Sequence, residues 1–162
     1  MSPVIPPTFC LDTSFFINGW MKLYRPDVFP SVWTTLDALG RQRRLSSCDE
    51  VYRDLEKQDD ELFAWAKARK SIFHVPDQRT ITQVKSILAT YPQYAANGGT
   101  TNRSDPWIIA HAFVVGGIVV TDEKPAPRQR ATLPPKMPDV CDALGLDWIA
   151  PIDFLKRIAV RL

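Results

Sequence analysis

The run Gly117-Ile118-Val119-Val120-Thr121 restricts how this chain can fold more than any other stretch. Its β-branched side chains favour an extended backbone, and with no polar face the run has to be covered on both sides. That is the situation of a parallel strand between two layers of helices. Thr8-Phe9-Cys10-Leu11-Asp12 reads the same way, because the aromatic, the cysteine and the leucine leave no face for water.

Elsewhere the apolar residues change period. Phe29, Val32, Trp33, Leu36 and Leu39 recur at helical spacing and Gly40 stops them. Ser47-Cys48-Asp49-Glu50 matches a capping box, followed by the inward face Val51, Tyr52 and Leu55. Residues 60–70 carry acids at the front and bases at the back, as a helix dipole favours. Ile72, Phe73 and Val75 suggest a short strand, and Ile81, Val84, Leu88 and Tyr91 share a helical face that Pro92 ends. Residues 92–103, with two adjacent glycines and many small polar side chains, read as a mobile loop. Asp105-Pro106 opens an apolar helix to Val115, with Pro106 at the first helical position, and Gly116-Gly117 closes it. Residues 124–138 hold five prolines and read as irregular surface chain. Val140, Cys141, Leu144 and Gly145 suggest a short helix, Trp148-Ile149 a strand, and Phe154, Leu155 and Ile158 a closing helix. Short apolar strands alternating with amphipathic helices predict an α/β fold: one domain over residues 1–162, its short central parallel sheet flanked by helices on both faces.

Composition narrows the function classes. A chain of 162 residues, 45% hydrophobic, can bury a proper core, and a net charge of +2 is no general polyanion trap. Three cysteines without CxxC spacing argue against a disulfide framework and against structural zinc, and fit a reducing cytoplasm. No leader-like N-terminus and no run of about 18 uncharged apolar residues is visible, so no membrane span is expected. Arg41, Arg43 and Arg44, like Arg128, Arg130 and Lys136, form local basic clusters whose simplest reading is solvated surface.

The acids carry the chemistry. In parallel sheets ligands bind beyond the carboxyl ends of the strands, and Asp12 and the Asp122-Glu123 pair follow two of them directly. Each acid has a plain structural role open to it. Asp12 and Asp105 could cap the helices they precede, Glu50 could close the capping box, and Asp122 and Glu123 could be turn residues. Asp54 is harder to explain so, since aspartate is a poor mid-helix residue. Gathered at one end of a sheet, such carboxylates would repel one another unless a cation neutralised them, and hard Mg2+ or Mn2+ takes oxygen ligands. His74 and His111 are too few and too badly spaced for a triad or a zinc site, and His111 reads as a core histidine.

FCLDTSFFI, SCDEVYRDL, SDPWIIAHA and IVVTDEK, in that order, resemble the four acidic blocks of the PIN-domain ribonucleases, the fold of the VapC-type toxins. FPSVWTTLDAL, DELFAWAK and MPDVCDALGLDWIAPIDFL are similar to the DUF4411 branch of that superfamily. The resemblance implies a PIN-like nuclease that hydrolyses RNA phosphodiesters with Mg2+ or Mn2+, acting as the toxin of a type II toxin–antitoxin pair. It implies Asp12, Asp54, Asp105 and Glu123 as catalytic and metal-holding acids, with Thr13, Ser14 and Thr121 as supporting hydroxyls. The family usually has glutamate at the second station, so Glu50 is an alternative beside the shorter Asp54, and Asp122 competes with Glu123 at the fourth. It further implies a homodimer, a cognate antitoxin and RNA as substrate, with which basic residues able to hold phosphates, Arg103, Lys124, Arg128 and Arg130, are consistent. Two other readings stay open: a PIN-like scaffold with a weakened metal site, and a haloacid-dehalogenase-like phosphatase. Ser14 stands against the latter, because that chemistry wants a second aspartate two residues after the nucleophile.

Overall fold

In the computed structural model, described over residues 2–58, 60–96, 103–127 and 134–160 (backbone alone at 95–96), five strands form one parallel sheet. In chain order they are β1 (Phe9–Leu11), β2 (Leu45–Cys48), β3 (Phe73–His74), β4 (Ile118–Val120) and β5 (Trp148–Ile149). Their spatial order is β3-β2-β1-β4-β5, so the direction of winding reverses between β1 and β4. Phe9 pairs with both Leu45 and Ile118, and Leu11 with Val120, which brings the carboxyl ends of β1 and β4 side by side.

The helices are α1 (Thr13–Asn18), α2 (Pro30–Arg41), α3 (Asp49–Glu56), α4 (Glu61–Lys67), α5 (Gln78–Thr90), α6 (Gln93–Ala96), α7 (Asp105–Val115), α8 (Met137–Ala143) and α9 (Pro151–Arg157). A π-helical turn, Gly19–Leu23, continues α1, and a 3-10 turn, Lys70–Ile72, leads into β3. Both sheet faces are covered. Ser46, paired with Cys10, bonds to His111 of α7, so this face lies under α7, with α5 packed against α7. Phe9 points the other way, and its ring meets Phe154 of α9 at 4.9 Å. Burying large aromatics such as Phe9, Phe15, Phe16 and Phe154 contributes about 2–3 kcal/mol each.

α7 shows why its chain stays inside. Ile108, Ile109, Ala110, His111 and Ala112 are all buried, so this helix has no polar stripe at mid-length. Gly116 ends it in the left-handed region at φ 66°, and Gly117 then passes so close to β1 that a Cβ would lie 2.6 Å from Cys10 Sγ.

Three expectations change. The capping box at Ser47 does not form. Residues 45–48 are strand β2, and the Ser47 hydroxyl donates to the Leu11 carbonyl at 2.7 Å instead of to a helix end. The supposed loop 92–103 carries α6, and residues 97–102 lie outside the described residues. α8 starts at Met137, inside the proline-rich stretch, where Pro138 falls in the first turn and does no harm.

Candidate functional site

Asp12 takes an extended backbone as the N-cap of α1, and its Oδ1 accepts from Thr13 N at 2.7 Å. The capping role is therefore real, but it occupies one oxygen. Oδ2 accepts from Ser14 Oγ at 2.7 Å and from Thr121 Oγ1 at 3.0 Å. Three donors favour the carboxylate, yet the side chain is 2% exposed. Burial wins, and with Glu123 nearby it pushes the carboxyl up to about 6.

Asp105 is the first residue of α7, and Ser104 stands at the N-cap with no side-chain cap bond. Asp105 is thus not the expected N-cap, and Pro106 is the second helical residue, not the first. Its carboxyl is pushed up to about 9, first by burial and then by the charges of Asp12, Glu123 and Asp54, against which Lys136 pulls weakly. Asp105 is the least compensated acid of the group.

Asp54 projects from α3, half-buried. Its Oδ2 accepts from Thr13 Oγ1 at 3.1 Å, while Oδ1 pairs with Lys57 at 2.9 Å. The same Thr13 hydroxyl lies 3.1 Å from Ser104 Oγ, so it joins α1, α3 and the start of α7. Glu123 hangs from β4 through its amide, which donates to Thr121 Oγ1 at 3.1 Å, and its Oε2 accepts from Met137 N at the start of α8. Asp122 is exposed and accepts from Asn18 at 2.8 Å. Glu50 is held by Arg53 at 3.3 Å. Of the two open alternatives, then, Glu123 and Asp54 lie near enough to raise Asp105, whereas Asp122 and Glu50 have other partners.

Asp105 and Glu123 share a cavity of about 40 Å³ with Tyr94, Gln93 and Lys136. It holds water or a small ion, not a nucleotide. The Tyr94 hydroxyl and Gln93 Nε2 are shielded from solvent with no hydrogen-bond partner among the described residues, and burial with the charges of Asp105 and Glu123 raises Tyr94. Unpartnered buried polar atoms beside uncompensated carboxylates are what a missing polar guest would satisfy. Sequence reasoning did not identify Tyr94, Gln93 or Ser104 as site residues. Only Ser104, adjacent to Asp105, carried any signal.

The donor set is all oxygen, which suits a hard divalent ion and not zinc. Among the described residues, however, no three His, Cys, Asp or Glu side chains are gathered tightly enough to enclose an ion. The acids meet loosely, through hydroxyls. Arg103 and Lys124 are exposed, and Arg128 and Arg130 lie outside the described residues. Among the described residues no helix is long and apolar enough to cross a membrane.

Residues 9–162 match the family model described as a domain of unknown function, DUF4411. The chain belongs to the DUF4411 family. The matched span opens at the first residue of β1, so Asp12, Asp54, Asp105 and Glu123 are all part of the DUF4411 domain and none sits on an appendage. No curated protein matches the chain.

Proposed function

We propose that this DUF4411 protein is a PIN-like, Mg2+- or Mn2+-dependent endoribonuclease, the toxin of a type II toxin–antitoxin pair. One observation carries the nuclease reading: Asp105 is buried among Asp12, Glu123 and Asp54, is raised to about 9, and has no ion pair among the described residues, with Lys136 only partly offsetting the acids. Like charges so placed at the carboxyl end of a parallel sheet are tolerable with a divalent ion between them. Asp12, Asp105 and Glu123 would hold that ion, with Asp54 completing the set. When bound, it supplies charge neutralisation at a scissile phosphate and acidification of a water. Thr13, Ser14 and Thr121 orient the acids. Tyr94 and Lys136 line the same small cavity as Asp105 and Glu123 and would offer a hydroxyl and an ammonium to a water or small ion there. The RNA substrate, the antitoxin and the homodimer rest on the likeness of the four acidic blocks to PIN ribonucleases, and the cytoplasmic setting on three cysteines without CxxC spacing.

The test is cleavage of total cellular RNA with Mg2+ or Mn2+ and with EDTA. Cleavage that needs the ion and vanishes in Asp105→Asn supports the reading. Cleavage that survives both changes overturns it. A second reading, a PIN-like scaffold without turnover, is favoured by the loose spacing of the acids and by the Asp54–Lys57 ion pair, which takes up one oxygen of an acid that the ion would need. Calorimetry with Mn2+ separates the two, because a scaffold without a workable site gives no binding heat.

A further inference from the structure

All five strands run in one direction, so the acids occupy one end of the sheet and the amino ends of the strands the other. A larger cavity, about 560 Å³ and within the range of small-molecule sites, runs from that far end, at Thr8, Arg43 and Leu45, to His74 at the close of β3. Its wall includes Arg41, Arg43, Ser46, Ser71, His74 and His111 and, among the described residues, no acid.

Two observations point to an anionic guest, and a third to a planar group beside it. Arg43 is in the left-handed region at φ 58°, the position after a helix end where glycine is the usual residue. Its amide donates to the Gly40 carbonyl and that of Arg44 to the Leu39 carbonyl, which locks the turn. An arginine there adds strain of about 1 kcal/mol, and its exposed side chain lines the cavity. Arg43 also has no ion pair among the described residues, whereas Arg41 reaches Asp37 at 3.1 Å. Finally, the His111 and His74 rings stack with centroids 5.3 Å apart, and Ser46 bonds to His111 on the inner side. Both rings line the same cavity as the two arginines, with His74 the exposed member of the stack and His111 the buried one.

We infer that this second cavity binds a phosphate monoester of nucleotide size, with Arg43 and Arg41 on the phosphate, Ser71 as a hydroxyl donor and the histidine pair as the flat wall for the base. Guanidinium forks suit phosphate, and the volume admits a mononucleotide. The site stands whether or not the acid end cleaves RNA.

The experiment is calorimetry in EDTA, so that the acids bind no phosphate through a metal, with inorganic phosphate, AMP, adenosine and a short RNA carrying a 5′-phosphate. AMP is expected to bind, adenosine not to, and Arg43→Gly to weaken AMP by roughly ten- to a hundredfold, the size of a lost charge-assisted contact. Glycine fits this backbone, so Arg43→Gly keeps the fold and its melting temperature should hold or rise. Arg41→Gln should weaken AMP too, and Asp105→Asn should leave it unchanged. Preference for the RNA over AMP would name a terminal nucleotide as the guest, and preference for AMP a free one. No heat from phosphate, AMP or RNA at millimolar concentration, or AMP binding that Arg43→Gly does not alter, overturns the inference.

Discussion

Thr121 Oγ1 donates to Asp12 Oδ2 at 3.0 Å, a bond that spans 109 positions of chain and ties the carboxyl end of β4 to that of β1. The same oxygen accepts the amide of Glu123 at 3.1 Å. One fully buried hydroxyl thus sets two acids of the site, and removing it disturbs both.

Thr121→Val leaves the Asp12 oxygen and the Glu123 amide each short of a partner, which costs about 2 kcal/mol, or roughly 4–8 °C in Tm for a domain this size. Thr121→Ser keeps the hydroxyl and should recover most of the loss. Thermal melts of the three proteins check this, and equal melting of the valine and serine variants would refute the shared-hydroxyl account.

Asp105 makes metal-free stability depend on pH. Its folded pKa, about 9, exceeds the ordinary aspartate value of 3.8, so its contribution is fully present below 3.8 and is lost as pH rises through about 9. Asp12, raised to about 6, acts in the same direction over a narrower window. In EDTA the wild type should therefore lose stability between pH 5 and 9, measured by urea melts, and Asp105→Asn should flatten that slope.

Under the nuclease reading, Mn2+ at a hundred times its dissociation constant raises wild-type stability by about 2.7 kcal/mol, several degrees in Tm, and Asp105→Asn abolishes the gain. Scanning calorimetry at pH 7 reads this directly. A gain of equal size in the variant would place the ion elsewhere.

His111 has the opposite sign. Burial, then the charge of His74, lowers it from 6.5 to about 4, so its contribution is present above 6.5 and is lost as pH falls through about 4. Ser46→Ala strands His111 Nε2 and should cost about 1–3 kcal/mol at neutral pH. Two-dimensional NMR of the imidazole should show no titration of His111 between pH 5 and 8.

Gly117→Ala forces a Cβ to 2.6 Å from Cys10 Sγ and 3.0 Å from the Thr8 carbonyl, an overpacking cost of about 1–3 kcal/mol. Adding Cys10→Ala removes the sulfur contact but not the carbonyl one, so the double variant should recover part of the loss. A double-mutant cycle with no coupling would sink this account.

The strands β1 and β4, the helices α2, α5 and α7, and the order of the acids were legible along the chain, because periodicity and stop residues are local signals. β2 was not. Leu45-Ser46-Ser47-Cys48 has two hydroxyls where a buried strand usually has none, and they are tolerated because Ser46 meets His111 and Ser47 meets the Leu11 carbonyl. Neither partner is near in sequence, so the pair read as a helix start. Tyr94 was missed for the same reason, since nothing about QYAA indicates that it comes to rest beside Asp105 and Glu123.

Sequence alone determined the layered α/β class and which residues could be acids of a site, because burial demand and residue chemistry are properties of short stretches. Tertiary structure decided which acids meet. The reversal of winding between β1 and β4 brings Asp12 against Thr121, and the pocket beyond it selects Glu123 over the exposed Asp122. Charge in a buried pocket depends on distances between residues a hundred positions apart, and only the packed sheet sets those distances.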